Sequence, residues 1–160
     1  MNSTFYSLLL LALSMAGFTS GVFYHRGTGD DIQLNCRANV NIHYGDKLYK
    51  TSVSMSFSKG NGFIFSDGVM KLKNNEIGHL SIMQEFTYNN KLGYVAIHRT
   101  SAPELSLGPI PLSVAEGIIP NFYLDPSIKE HIVRINQVTE SSWVVFGGNV
   151  PYMLCAKYGQ

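Results

Sequence analysis

The chain has 160 residues, 45% of them hydrophobic, and a formal net charge of +1 from twelve basic and eleven acidic residues. Such a length suits a short leading segment followed by one domain of the common size, about 100–150 residues. The near-neutral balance shows no basic stripe, which excludes the electrostatic footprint of a nucleic-acid-binding domain.

From Phe5 to Tyr24 the sequence FYSLLLLALSMAGFTSGVFY carries no charge. At about 1.5 Å per residue it reaches about 30 Å, the thickness of a bilayer's hydrocarbon core. Phe5 and Tyr6 at one end and Phe23 and Tyr24 at the other suit the interfacial aromatic belts. The preceding MNST lacks the positive charge that a secretory signal normally carries. Residues 1–26 are therefore expected to stay on the protein as a transmembrane anchor. The competing reading is cleavage after Ser14-Met15-Ala16, releasing a chain that starts at Gly17. Ala12, Ala16, Gly17, Ser20 and Gly21 recur at helical spacing and form a stripe without bulky side chains. In lipid such a stripe lets a second helix approach closely, so these five residues are the candidate transmembrane helix-packing face. Arg26, just after the segment, by itself favours a cytoplasmic domain. The cysteine pair, Asp30-Asp31 and the strand-rich pattern that follows argue the other way. The expectation is a single-pass membrane protein, amino terminus cytoplasmic and main domain outside, which is the periplasm if the host is Gram-negative.

Residues 27–31, GTGDD, read as a linker, and 32–160 as the β-rich domain. In TSVSMSFS, residues 51–58, Val53, Met55 and Phe57 alternate with serines, the pattern of a half-buried antiparallel strand. Turn chemistry falls at Gly45-Asp46, Lys59-Gly60-Asn61-Gly62, Asn74-Asn75, Asn89-Asn90 and Gly147-Gly148. Strands are predicted near 34–44, 48–58, 62–73, 79–88, 92–100, 131–139, 142–147 and 150–158, the third bending at Ser66-Asp67-Gly68. Between Ser101 and Pro126 five prolines break the rhythm. Ser113-Val114-Ala115-Glu116 fits a capping box, and Asp125-Pro126 fits a helix start. The fold class is mainly β: an antiparallel meander of about eight strands, forming a sandwich or an open barrel, with one short helix. Met55, Phe57, Phe63, Phe65, Met70 and Phe86 are assigned to the inner face, and Lys71 with Lys73 to a solvated strand face.

No catalytic set is legible. The histidines at 25, 43, 79, 98 and 131 are scattered, and no nucleophile elbow, phosphate loop or H-E-x-x-H occurs. The expectation is a non-enzyme without metal or cofactor. An open barrel with an aromatic and Met-rich interior would leave room for a small hydrophobic ligand, up to lipid or bile-acid size. Cys36 and Cys155 lack metal or C-x-x-C spacing, and in an exported chain an even count favours a disulfide. Closing so long a loop removes about 4–5 kcal/mol of unfolded-state entropy in the chain-entropy description. Two separate buried thiols are the alternative.

Taken together, the uncharged leading helix, LNCRANVNIHY, TSVSMSFSKGNGFIFSDG, NFYLDP and PYMLCAKYG resemble the FidL-like inner-membrane proteins of enterobacteria, including the accessory proteins of fimbrial operons. The likeness spans nearly the full length as a pattern of strands and two cysteines, without an active-site motif. The resemblance implies an accessory protein whose periplasmic domain binds and stabilises a ToxR-like, membrane-bound transcription activator, promoting fimbrial or virulence gene expression. A periplasmic fimbrial assembly or chaperone-like protein, acting by strand pairing, is the alternative.

Overall fold

The computed structural model describes residues 32–158, apart from 74 and 92. The anchor, its small-residue face at Ala12, Ala16, Gly17, Ser20 and Gly21, and the linker lie outside the described residues. Among the described residues, no helix is long and apolar enough to cross a membrane.

The elements run β1 (Leu34–Tyr44), β2 (Lys47–Ser58), β3 (Asn61–Leu72), β4 (Asn75–Lys91), β5 (Tyr94–Arg99), β6 (Glu104–Ser106), α1 (Leu112–Ala115), α2 (Asn121–Leu124), β7 (Glu130–Thr139), β8 (Ser142–Gly147) and β9 (Val150–Lys157). All ladders are antiparallel, and each strand pairs with its neighbour in sequence, with β5 meeting β7 across the proline-rich crossover. A β1–β9 ladder closes the ring. The result is an eight-stranded closed barrel: the mainly β antiparallel class is as expected, but the barrel is closed through β1 and β9 instead of being a sandwich or an open barrel. The ninth strand, β6, was not foreseen; it lies on β4, at Ser81–Met83, beyond the part of β4 that pairs with β5.

Local chemistry explains the elements. Along β2, Tyr49, Thr51, Val53, Met55 and Phe57 are buried, while Ser54, Ser56 and their outward neighbours are not. That is the burial a period-two strand imposes when one face meets a core. Gly60 turns the β2–β3 hairpin at φ +77°, a conformation L side chains rarely adopt. β3 keeps a continuous ladder with β2 through Ser66-Asp67-Gly68. Gly68 is needed because a Cβ there would strike the Lys50 carbonyl and the Thr51 Cα. The crossover holds two single-turn helices rather than one, and neither starts at the anticipated cap. Pro111 and Pro120 stand at their N-caps without a side-chain hydrogen bond. Asp125 instead ends α2, and its Oδ1 accepts the Ser127 N–H at 2.8 Å.

Two packed clusters divide the interior. The lower one surrounds the ends where Leu34 enters and Lys157 leaves, and its rings interlock: Phe57 lies 5.1 Å from both Phe86 and Tyr88. The Tyr88 hydroxyl donates to the Ile32 carbonyl at 2.9 Å. The upper cluster sits on the far ends of β2, β3 and β4, where Tyr49, Met70, Leu80 and Ile82 are covered by Ile110, Ala115, Ile118 and Ile119 of the crossover. Each large apolar side chain so buried contributes about 1.5–3 kcal/mol.

One inner-face assignment is corrected. Phe63 and Phe65 point outward, 40% and 39% exposed, while Ile64 and Ser66 point inward. The reason is polar satisfaction at the junction of the two clusters. There Ser66 Oγ lies 2.8 Å from Thr51 Oγ1 and 3.1 Å from the Tyr49 hydroxyl, which also donates to the Leu80 carbonyl at 3.0 Å. A buried tyrosine hydroxyl needs such partners. They fix the parity of β3.

Candidate functional site

The ring closes over a short distance. β1 and β9 share two residue pairs, Cys36 with Lys157 and Arg37 with Ala156, and the Tyr158 N–H donates to the Asn35 carbonyl at 3.2 Å. At this point the Cys36–Cys155 disulfide joins the strands, with Cα atoms 5.5 Å apart and both residues fully buried. The expected bridge is thus present, tying the first strand to the last.

Above that point the two strands have no ladder with each other. β1 keeps its pairing with β2 up to Tyr44, but its other edge is bare among the described residues. Because the Asn35 carbonyl faces β9 and backbone groups alternate sides, the N–H and C=O of Asn39, Asn41 and His43 point into this gap. On the far side, Leu154 presents its backbone in the same way, since its neighbour in parity, Tyr158, faces β1 and Lys157 faces β8. Unpaired edges of this kind are templates for an added strand.

The wall beside the gap is apolar on both faces. Outward, Leu154 is 63% exposed beside its partner Val144, and exposed Pro151 lies beside its partner Phe146 of β8. Inward lies a cavity of about 160 Å³, lined by Met55, Ile97, Val133, Val145 and Met153, with Tyr123, His131 and Tyr152 towards the upper end. Tyr152 reaches it because the β8–β9 register slips between Val145 and Phe146, where Met153 and Pro151 are the successive partners. Bulges re-aim a side chain in this manner. A cavity of about 150 Å³ holds a benzene-sized group, whereas ligand pockets usually run to about 300–1,000 Å³. As formed, the space admits an aromatic or branched side chain and is too small for a bile-acid-sized molecule.

The crossover covers the upper end by stacking. The Phe122 ring lies 5.4 Å from the His131 ring, nearly parallel to it, and the Arg99 guanidinium sits 4.8 Å from the Phe122 centroid. Arg99 Nη1 donates to the Asp125 carbonyl at 3.3 Å, while its Nε and Nη2 are buried without a partner. Burial lowers the His131 pKa, so the ring that lines the cavity is neutral at pH 7. Burial likewise raises the Tyr123 hydroxyl above its ordinary range, Tyr152 adds to the rise and Arg99 opposes it. The lining is therefore uncharged at neutral pH. It can bind apolar groups.

Among the described residues the other histidines do not converge. His43 is exposed on the bare edge of β1, His79 lies on β4, and His98 Nδ1 stands 3.3 Å from Glu130 Oε2. Among the described residues no three His, Cys, Asp or Glu side chains are grouped as metal ligands. Sequence reasoning missed the gap and the Tyr152 bulge. The only local sign was Pro151, which cannot donate to a ladder and so marks a strand edge or bulge. No family model matches the chain. No curated protein matches it either.

Proposed function

We propose that this chain is a single-pass inner-membrane accessory protein whose periplasmic domain binds and stabilises a ToxR-like membrane transcription activator. It would thereby promote expression of fimbrial or virulence genes. The observation that carries the reading is the gap between the upper halves of β1 and β9. It offers backbone donors and acceptors on two edges, an apolar wall outside and an apolar cavity inside. A partner strand that is apolar on both faces gains ladder hydrogen bonds and buries its side chains on both sides, the strand-addition mode of recognition. The bridge between Cys36 and Cys155 agrees with an oxidising compartment. The uncharged Phe5–Tyr24 segment supports the anchor.

Asn41→Pro tests this directly. Its N–H points into the gap, not into the β2 ladder, so the fold should survive while an added strand loses a donor and meets the pyrrolidine ring. Partner recovery and activator level should fall roughly tenfold, the worth of one or two backbone hydrogen bonds in a buried interface. Unchanged activator level with folded Asn41→Pro protein would refute the reading.

The same gap fits a soluble fimbrial chaperone-like protein that pairs with subunit strands. The fate of the leading segment separates the two. Amino-terminal sequencing of membrane-extracted protein should find the residues before Ala16 retained; a mature chain starting at Gly17 would favour the chaperone.

A further inference from the structure

The barrel has a second surface that does not belong to the gap. β3 stands four strands from β8 in either direction around the ring, and β4 four strands from β9, so the β3–β4 wall faces away from the β8–β9 wall. On its outside Phe63, Phe65 and Met83 are 40%, 39% and 38% exposed. Phe65 pairs with Met83 across the ladder, and Phe63 is two residues from Phe65 on the same face, so the three side chains are immediate neighbours.

Their surroundings are polar and carry more acidic than basic side chains. The β2 residues paired with Phe63 and Phe65 are Ser56 and Ser54. Glu85 pairs with Phe63, Glu104 pairs with Met83, and Asp67 follows Phe65 along the face. All three acidic residues are exposed, and none is ion-paired among the described residues. On the β1 side, exposed Lys50 of β2 stands two residues from Ser52, the partner of Asp67, while Arg37 is turned away: its Nε donates to Ser54 Oγ at 3.0 Å and its guanidinium lies 3.8 Å from the Tyr158 centroid. An apolar island of two aromatic rings and a methionine with an acidic rim is what a protein hot spot looks like from one side. Aromatic side chains and methionine are enriched at such centres, and the rim sets charge preference and encounter rate.

We propose that the β3–β4 wall docks a second protein segment, one that presents a large apolar side chain flanked by lysine or arginine. The acidic rim selects this occupant. A bilayer with anionic headgroups is repelled by Asp67, Glu85 and Glu104, and a second copy brought face to face through this same wall sets acidic rim against acidic rim. The surface acts independently of the gap between β1 and β9, so one domain holds two partners on opposite walls.

The experiment is photo-crosslinking of the full chain in its host membrane from Met83→p-benzoylphenylalanine, which leaves both phenylalanines in place. The expected product is a protein adduct whose linked peptide carries an aliphatic or aromatic residue next to Lys or Arg. Its yield should drop about thirtyfold with Phe65→Ser, the effect of removing a hot-spot side chain. Glu85→Lys with Glu104→Lys should lower it several-fold, as should high salt, which screens exposed charges. Both glutamates are exposed, and resistance of the buried cysteine pair to reduction and alkylation without denaturant verifies the fold of each variant. Asn41→Pro should leave the adduct unchanged. The proposal is overturned by adducts to lipid or to a second copy alone, by no protein adduct, by a yield indifferent to charge reversal, or by loss of the adduct in Asn41→Pro.

Discussion

The lower and upper ends of the barrel are closed by different means. Below, the ring is completed by two residue pairs between β1 and β9, a buried disulfide and an interlocked set of Phe57, Phe86 and Tyr88. Above, the same two strands share no ladder; Ile110, Ala115, Ile118 and Ile119 of the proline-rich crossover cover the interior, and a buried hydroxyl network joins β2 to β3 beneath them. A covalent bond stands at one end where a long ladder would otherwise be required. Because that end is fixed, the other can leave strand edges unpaired without the barrel unrolling. In physical terms the disulfide makes an unfinished wall affordable.

The largest effect should come from the bond itself. Cys36→Ser is expected to lower stability by about 2–5 kcal/mol, measured by urea denaturation of the parent protein with and without reductant alongside the variant. Amide exchange at Lys157 and Tyr158, whose N–H groups donate to Ser141 and Asn35, should rise with it. If stability moves by less than about 1 kcal/mol, the ladder and the aromatic cluster close the ring unaided and the contrast between the ends is lost.

A smaller loss belongs to the upper end. Tyr49→Phe keeps the ring but strips the hydroxyl from Ser66 and from the Leu80 carbonyl, leaving buried polar atoms short of a partner. The expected cost is about 1–2 kcal/mol. It should fall on exchange of the upper β3–β4 amides and spare Lys157 and Tyr158. Equal loss at both ends would show that the two clusters unfold as one.

The smallest effect is a dependence on pH centred on His131, where the crossover stacks Phe122 against the interior. Burial holds His131 below its ordinary pKa of about 6.5, so in this range the unfolded chain binds the proton more readily than the folded one. The stability that neutral His131 lends is complete above about pH 6.5 and is lost as the pH falls towards the folded pKa. The midpoint temperature of the parent should therefore drop between about pH 7 and pH 5 more than that of His131→Phe, which keeps a ring beside Phe122. Parallel pH profiles for the two proteins would remove His131 from the account.

Much of this architecture is legible in the sequence, and for identifiable reasons. β2 alternates strictly from Val53 to Ser58, so its faces can be read directly. The five prolines after Ser101 break the strand rhythm and leave only the three-residue β6 in that interval, and two cysteines near the ends of the domain leave one pairing. β3 is different: in Phe63-Ile64-Phe65 both parities are apolar, and the choice rests on Ser66 meeting Thr51 and Tyr49, residues distant in sequence. The helix starts misled because Pro111 and Pro120 set the backbone before Ser113 or Asp125 can cap it. The gap had no local signature at all. The length of the β1–β9 ladder depends on how eight strands and a bulge at Tyr152 fit around one ring.

Amide hydrogen exchange of the domain with and without the activator's periplasmic domain tests the central claim most directly. In the free protein Asn39, Asn41, His43 and Leu154, whose N–H groups face the gap, should exchange rapidly, while their in-strand neighbours facing β2 and β8 exchange slowly. On binding, those four amides should become protected together, as a strand fills the gap. Slow exchange at these positions in the free protein, or protection confined to other surfaces on binding, would contradict the account.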